Sequence, residues 1–80
     1  MPKGQHARHY QAVKTLLLEM RTEAKLTQRE LAKRVRRGQP WVHKSEVGER
    51  RVDISEFIDW CIHCGADPEA MCRRLIRGRK

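Results

Sequence analysis

Two short predicted helices, separated by only a few residues, constrain the fold of this chain more than any other feature of its sequence. Thr27 and Glu30 form a Thr-x-x-Glu capping box, which predicts a helix over residues 28–35. Gly38 is an acceptable N-cap and begins a second helix over about residues 39–47, with a proline in its first turn. Because the connection between them is so short, the two helices must pack closely against each other.

Three further helices are predicted around this pair, since apolar residues recur at spacings of three and four and no alternation is long enough for a strand. They cover about residues 7–24, 54–64 and 68–77. In the fourth helix the predicted buried stripe consists of Ile54, Phe57, Ile58 and Cys61. We expect one all-α domain of five helices over residues 7–77, a flexible N-terminal tail over residues 1–6 and a basic C-terminal tail over residues 78–80.

The charge of the chain is unevenly distributed and favours a polyanionic partner. The whole chain carries a net charge of +8. Residues 21–51 have a net charge of +6, residues 52–72 have −5, and the last eight residues have +5. This pattern predicts one face for a polyanion and one that is kept away from it, which makes nucleic acid the first candidate partner.

The residues of the helix pair are more specific than the charge. They include Leu26-Thr27-Gln28-Arg29-Glu30-Leu31-Ala32, then Gln39, Lys44-Ser45-Glu46 and Gly48-Glu49-Arg50-Arg51. Over about residues 10–66 the chain resembles the phage-repressor-like (Cro/XRE) helix-turn-helix family. The resemblance implies a five-helix lambda-repressor-like fold in which the second helix of the pair enters the major groove of double-stranded DNA.

By position, the resemblance also implies roles for individual residues. The implied base-reading residues are Gln39, Lys44, Trp41 and His43. The implied DNA-backbone contacts are Gln28, Arg29, Arg37, Arg50 and Arg51. Arg21 and Glu46 match a family pair that forms a largely buried salt bridge of mainly structural importance. Trp41 alternatively packs into the core, and Arg36 occupies a position where the family usually has glycine.

Three cysteines lie close together near the C-terminus and suggest zinc as an alternative. Cys61 and Cys64 form a C-x-x-C pair with His63 between them, and Cys72 follows. The pair falls inside a predicted helix, and neither a second C-x-x-C nor an H-x3-H motif accompanies it. We therefore expect core thiols and no metal or other cofactor. No residue pattern typical of a catalytic site is present, so we expect no enzyme, and no small-molecule ligand.

The predicted function is that of a sequence-specific, double-stranded DNA-binding transcriptional regulator, most simply a repressor that occupies a palindromic operator as a homodimer. The expected dimer contacts are on the C-terminal helices: Trp60, Met71, Leu75 and Ile76. Without a signal peptide or an apolar run long enough for a membrane span, the expected location is the cytoplasm. Alternatives are an antitoxin or adaptor that uses the same fold to bind protein, and an RNA-binding protein, which the few aromatic residues disfavour.

Overall fold

The computed structural model describes the backbone of residues 3–79 and the side chains of residues 8–79. Five helices and no strand lie in this range. They are α1 (Lys3–Glu23), α2 (Gln28–Val35), α3 (Gln39–Val47), α4 (Ile54–His63) and α5 (Pro68–Arg77). The prediction of an all-α fold with five helices is therefore confirmed. Within the described range, none of the helices combines the length and the apolar character needed to cross a membrane.

Short polar side chains determine where α2 and α4 begin. The Thr27 hydroxyl accepts a hydrogen bond from the Glu30 N–H at 3.0 Å, and the Glu30 carboxylate accepts one from the Thr27 N–H at 2.8 Å. Asp53 and Glu56 form the same reciprocal arrangement at the start of α4. Because the Thr27 N–H donates to the carboxylate of Glu30, the pKa of Glu30 is lowered. Both helices thus begin with a capping box, and the one at Thr27 is the box that the sequence indicated.

The first helix begins earlier than predicted. α1 includes Lys3, whereas the sequence placed residues 1–6 in a tail. Lys3 and Gln5 are good helix formers, and Gly4 alone does not end a helix. Residues 1, 2 and 80 of the two predicted tails lie outside the described range.

Four of the helices contribute to one hydrophobic core. Its fully buried members are Leu17 of α1, Leu31 of α2, Val42 of α3, and Trp60 and Cys61 of α4. The indole N–H of Trp60 donates to the Leu17 carbonyl oxygen at 3.1 Å. A buried indole needs such a partner, and here the bond joins α4 to α1 across the core.

The buried face of α4 differs from the predicted stripe. Phe57, Trp60 and Cys61 are buried, whereas Ile54 and Ile58 are 66% and 38% exposed. The helix is apolar on most sides, so its periodicity alone does not determine which side faces the core. Trp60 supplies the largest apolar surface and has a hydrogen-bond partner inside, which favours the observed rotation of α4.

The connection between α2 and α3 uses an arginine in the left-handed region. Arg36 has φ 61° and ψ 44°. It occupies the position where the family that the sequence resembles usually has glycine. The Arg37 N–H donates to the Ala32 carbonyl oxygen at 2.9 Å and closes the last turn of α2. Arg36 therefore performs the glycine's conformational role, at a cost of about 1–2 kcal/mol for a residue that carries a Cβ.

Candidate nucleic-acid interface

The second helix of the pair, α3, has one buried side and one polar exposed side. Val42 and Ser45 point into the core and are fully buried. Gln39, His43 and Lys44 are exposed. Gln39 and His43 are four residues apart and so lie on the same face of the helix. The exposed side of α3 therefore presents an amide, an imidazole and an ammonium group.

A salt bridge between α1 and α3 holds α3 in place. The Arg21 guanidinium donates two hydrogen bonds to the Glu46 carboxylate, one of them from Nη2 to Oε1 at 3.1 Å. A third bond runs from Arg21 Nη1 to the Leu26 carbonyl oxygen at 2.8 Å. The Glu46 side chain is only 5% exposed. Arg21 and Glu46, which the sequence paired, therefore join the end of α1 to the end of α3.

Gln28 connects this salt bridge to the exposed face of α3. Its side-chain nitrogen donates to Glu46 Oε1 at 2.9 Å and lies 3.4 Å from His43 Nδ1. Its side-chain oxygen accepts a hydrogen bond from Gln39 Nε2 at 2.7 Å. All the polar groups of the Gln28 amide are thus engaged with other side chains. This network orients Gln39 and leaves the free backbone N–H groups at the start of α2 for an anion.

A second polar cluster forms around Arg50, in the loop that follows α3. The Arg50 guanidinium makes two hydrogen bonds to the Glu56 carboxylate, at 3.0 and 2.9 Å, and one to Ser45 Oγ at 3.1 Å. It also lies 4.5 Å from the centre of the Trp41 ring. Ser45 Oγ in turn donates to the Trp41 carbonyl oxygen at 2.7 Å. Arg50 therefore joins α3 to α4.

The remaining basic side chains around the helix pair point outward. Those that the sequence assigned to DNA contact are all exposed: Arg29, Arg37, Lys44 and Arg51. Arg37 and Arg51 lie over aromatic rings, 5.0 Å from the centre of Trp41 and 4.8 Å from that of Tyr10. Such stacking limits the conformations of an arginine while its donors stay accessible. The surface around α2, α3 and the following loop is therefore basic and suits a polyanion.

Comparison with known proteins identifies this arrangement. The sequence model of a family described as "Helix-turn-helix domain" matches residues 15–75. The chain is a Cro/XRE-type helix-turn-helix protein. Among solved structures, it is similar to an XRE-family like protein from Pseudomonas syringae pv. tomato str. DC3000, with 45% sequence identity and a TM-score of 0.89. That match covers 98% of this chain and 95% of the other. No curated protein matches the chain.

Membership of this helix-turn-helix family makes the chain a DNA-binding regulator in general terms. The α2–α3 pair is its helix-turn-helix and α3 its recognition helix. The exposed side of α3 carries Gln39, His43 and Lys44, three of the four residues that the sequence assigned to base reading. Gln28 lies at the start of α2, next to Gln39. Gln28, Gln39 and His43 thus lie together on one surface of the Cro/XRE-type domain, and Lys44 is exposed further along α3.

Trp41, the fourth residue assigned to base reading, lies elsewhere. Its ring is partly buried, packs against the core and lies 6.0 Å from the Trp60 ring, centre to centre. The guanidinium groups of Arg37 and Arg50 lie against it. For a large aromatic ring, packing against the core and these two guanidinium groups is more favourable than exposure to solvent. The alternative reading, a core contact, describes Trp41 correctly.

Arg50 is also not free for the DNA-backbone contact that was expected of it. Its side chain is only 27% exposed and is bound to Glu56. Sequence reasoning missed Glu56 as a structural partner and Ser45 as a buried hydroxyl. Ser45 follows Val42 by three residues on the inner face of α3, and that spacing signals its burial. The remaining backbone assignments concern exposed side chains, except for Gln28, which is partly buried.

The three thiols lie in or beside the core. Cys61 is buried, and Cys64 and Cys72 are partly buried. Burial raises the pKa of both Cys61 and Cys64 to about 11, so both are neutral thiols at pH 7. In the part of the chain that the structure describes, no three His, Cys, Asp or Glu residues are grouped to hold a metal ion. The cysteines of this helix-turn-helix protein therefore contribute to packing.

Proposed function

We propose that this protein is a sequence-specific, double-stranded DNA-binding transcriptional regulator that represses by occupying a palindromic operator as a dimer. The observation that carries the proposal is the set of exposed polar side chains on α3, which includes Lys44 and a Gln39 side chain that Gln28 orients. The glutamine amide can accept a hydrogen bond from adenine N6 and donate one to adenine N7, and a lysine suits guanine or a phosphate. The role is binding rather than catalysis.

The contacts divide into base reading and backbone positioning. Gln39, Lys44 and His43 would contact base edges. The start of α2, through free backbone N–H groups that include that of Gln28, and the exposed cations Arg29, Arg37 and Arg51 would contact phosphates. Phosphate contacts set the register and orientation of α3, and base contacts supply the sequence preference. This division predicts different effects for substitutions in the two sets.

Dimerisation is proposed through the C-terminal helices. Ile76 is 68% exposed, and Met71 and Leu75 on the same helix are partly buried against the core. Trp60, which was expected at the interface, is fully buried and cannot contribute. An acidic stretch over residues 52–72 is followed by a basic one over residues 73–80, so two antiparallel copies can pair opposite charges. One recognition helix covers only a few base pairs, and a dimer doubles the site.

The test is selection of bound DNA from a random duplex pool at about 150 mM salt, where non-specific phosphate binding is already weakened. The expected result is an inverted repeat with half-sites about 10 base pairs apart, one helical turn. No enrichment above the unselected pool would contradict sequence-specific binding. A single enriched half-site would contradict the dimeric part of the proposal.

A further inference from the structure

A small basic notch lies where α1 passes the loop after the recognition helix. It has a volume of about 110 Å³ and is lined by Tyr10, Gln11, Lys14, Gly48 and Arg51. Within residues 8–79, neither Lys14 nor Arg51 forms an ion pair. Glu49, which follows Gly48 in the chain, does not line the notch. Two unpaired cations thus share a concave site without a carboxylate.

Two of the lining side chains, Tyr10 and Arg51, are held in position by contacts of their own. The Arg51 guanidinium lies over the Tyr10 ring. The Tyr10 hydroxyl accepts a hydrogen bond from the Val52 N–H at 2.8 Å, so its own hydrogen remains available for donation. The notch therefore offers donors from a guanidinium, an ammonium and a phenol.

Gly48 allows Lys14 to lie in the notch. A Cβ at Gly48 would lie 2.7 Å from Lys14 Cδ and 3.2 Å from Lys14 Nζ, so the lysine would have to move from its place in the notch. Gly48 also has φ 84°, which favours glycine. The backbone at the end of α3 thus leaves room for a lysine from another helix, and the ammonium group lies beside that backbone.

The position of the notch relative to α3 suggests its ligand. α3 has nine residues and is therefore about 13 Å long, close to the width of the major groove, about 12 Å. If the Gln39 end of α3 lies at one side of the groove, the Gly48 end lies near the other side, where a row of phosphates runs. The notch opens directly beside Gly48.

We propose that Tyr10, Lys14 and Arg51 together bind one phosphate of duplex DNA at the groove edge beside the C-terminal end of α3. This inference rests on the proposed DNA-binding function and adds α1 to the interface, through two residues, Tyr10 and Lys14, that the sequence analysis did not assign to DNA. The start of α2 and the notch then hold the DNA backbone at the two ends of α3. α3 is thereby fixed along its length against the bases.

The experiment measures the affinity for a duplex of mixed sequence over a range of salt concentrations. Neutralising one phosphate contributes about 0.9 to the slope of log affinity against log salt. Lys14→Gln is expected to lower the slope by up to about 0.9, since Arg51 still lies beside the same phosphate, whereas Lys14→Arg, which keeps the charge, retains the slope. Lys33→Gln is the matched control, since Lys33 is exposed in the last turn of α2, away from the end at Gln28.

A shared phosphate also predicts the result for the double variant. Lys14→Gln combined with Arg51→Gln is expected to lower the slope by about 0.9, as for one phosphate, while a loss near 1.8 would indicate two separate phosphates and overturn the proposal. A slope for Lys14→Gln equal to that for Lys33→Gln would overturn it as well. Urea unfolding of each variant identifies any loss of folding. If the wild-type protein binds DNA with a steep slope but the notch variants do not change that slope, the notch proposal is wrong and the proposed DNA-binding function stands. If the wild-type protein binds no duplex, the notch proposal and the proposed function are both contradicted.

Discussion

At the scale of single residues, Arg36 adopts a conformation that suits glycine better. Its φ of 61° places a Cβ in the left-handed region, which costs about 1–2 kcal/mol, partly offset by the greater flexibility of a glycine in the unfolded chain. We expect Arg36→Gly to raise the free energy of unfolding by about 0.5–1 kcal/mol, measured by urea denaturation. Lys33→Gly, inside α2, should lower it by about 1 kcal/mol. A loss of stability in Arg36→Gly would contradict this account of the turn.

Arg50 is predicted to act on stability. Arg50→Ala removes two hydrogen bonds to the mostly buried Glu56 carboxylate and one to Ser45, so we expect a loss of about 2 kcal/mol in the free energy of unfolding. The salt dependence of DNA binding should stay unchanged, because Arg50 is not available to a phosphate. Urea unfolding and a salt titration check the two parts. If Arg50→Ala has wild-type stability but a shallower slope of log affinity against log salt, then Arg50 contacts DNA and this account is wrong.

Arg50 and Arg51 show that the partners of a single side chain cannot be predicted from the local sequence. Both are arginines in the same loop, and both match positions that contact the DNA backbone in the family. Glu56 and Trp41 engage Arg50, while Arg51 lies exposed over Tyr10. These partners come from three other elements. Their approach depends on tertiary packing, which local sequence does not show.

At the scale of helices, the sequence predicted where a helix begins better than which of its sides is buried. Thr27 and Asp53 cap their helices through local hydrogen bonds, and such bonds depend only on residues three positions away. The buried side of α4 depends on what the other helices present to it. Ile58 and Trp60 compete for the core, and packing with Leu17 selects Trp60. The predicted dimer contact at Trp60 was wrong for the same reason.

The inner face of α4 also predicts a pH dependence. Burial raises the pKa of Cys61 and Cys64 to about 11, whereas a thiol in the unfolded chain ionises near pH 8.5. Between these values the unfolded chain binds fewer protons than the folded one, so stability falls as pH rises. We expect the free energy of unfolding to fall between pH 8 and 10 under reducing conditions. Cys61→Ala should reduce that fall by about 1–2 kcal/mol at pH 10; an equal fall in both proteins would contradict the assignment.

At the scale of the whole molecule, the proposed dimer depends on α5. Ile76→Glu introduces a charge at a 68% exposed isoleucine and should shift the monomer–dimer equilibrium toward monomer by at least tenfold, a change of about 1.4 kcal/mol. Sedimentation equilibrium measures the shift. Leu18→Glu is the control, since Leu18 is exposed on α1. A wild-type protein that is monomeric at all concentrations, or equal effects of the two substitutions, would contradict this interface.

The central claim is that this Cro/XRE-type protein reads DNA bases with the exposed side of α3. The most direct measurement is selection from a random duplex pool with Gln39→Ala beside the wild-type protein and Arg51→Gln. Loss of a bidentate contact should cost about 1–3 kcal/mol of discrimination at one base pair. The account predicts that Gln39→Ala loses its preference at one position of each half-site, while Arg51→Gln selects the wild-type sequence with lower affinity. An unchanged selected sequence for Gln39→Ala would contradict it.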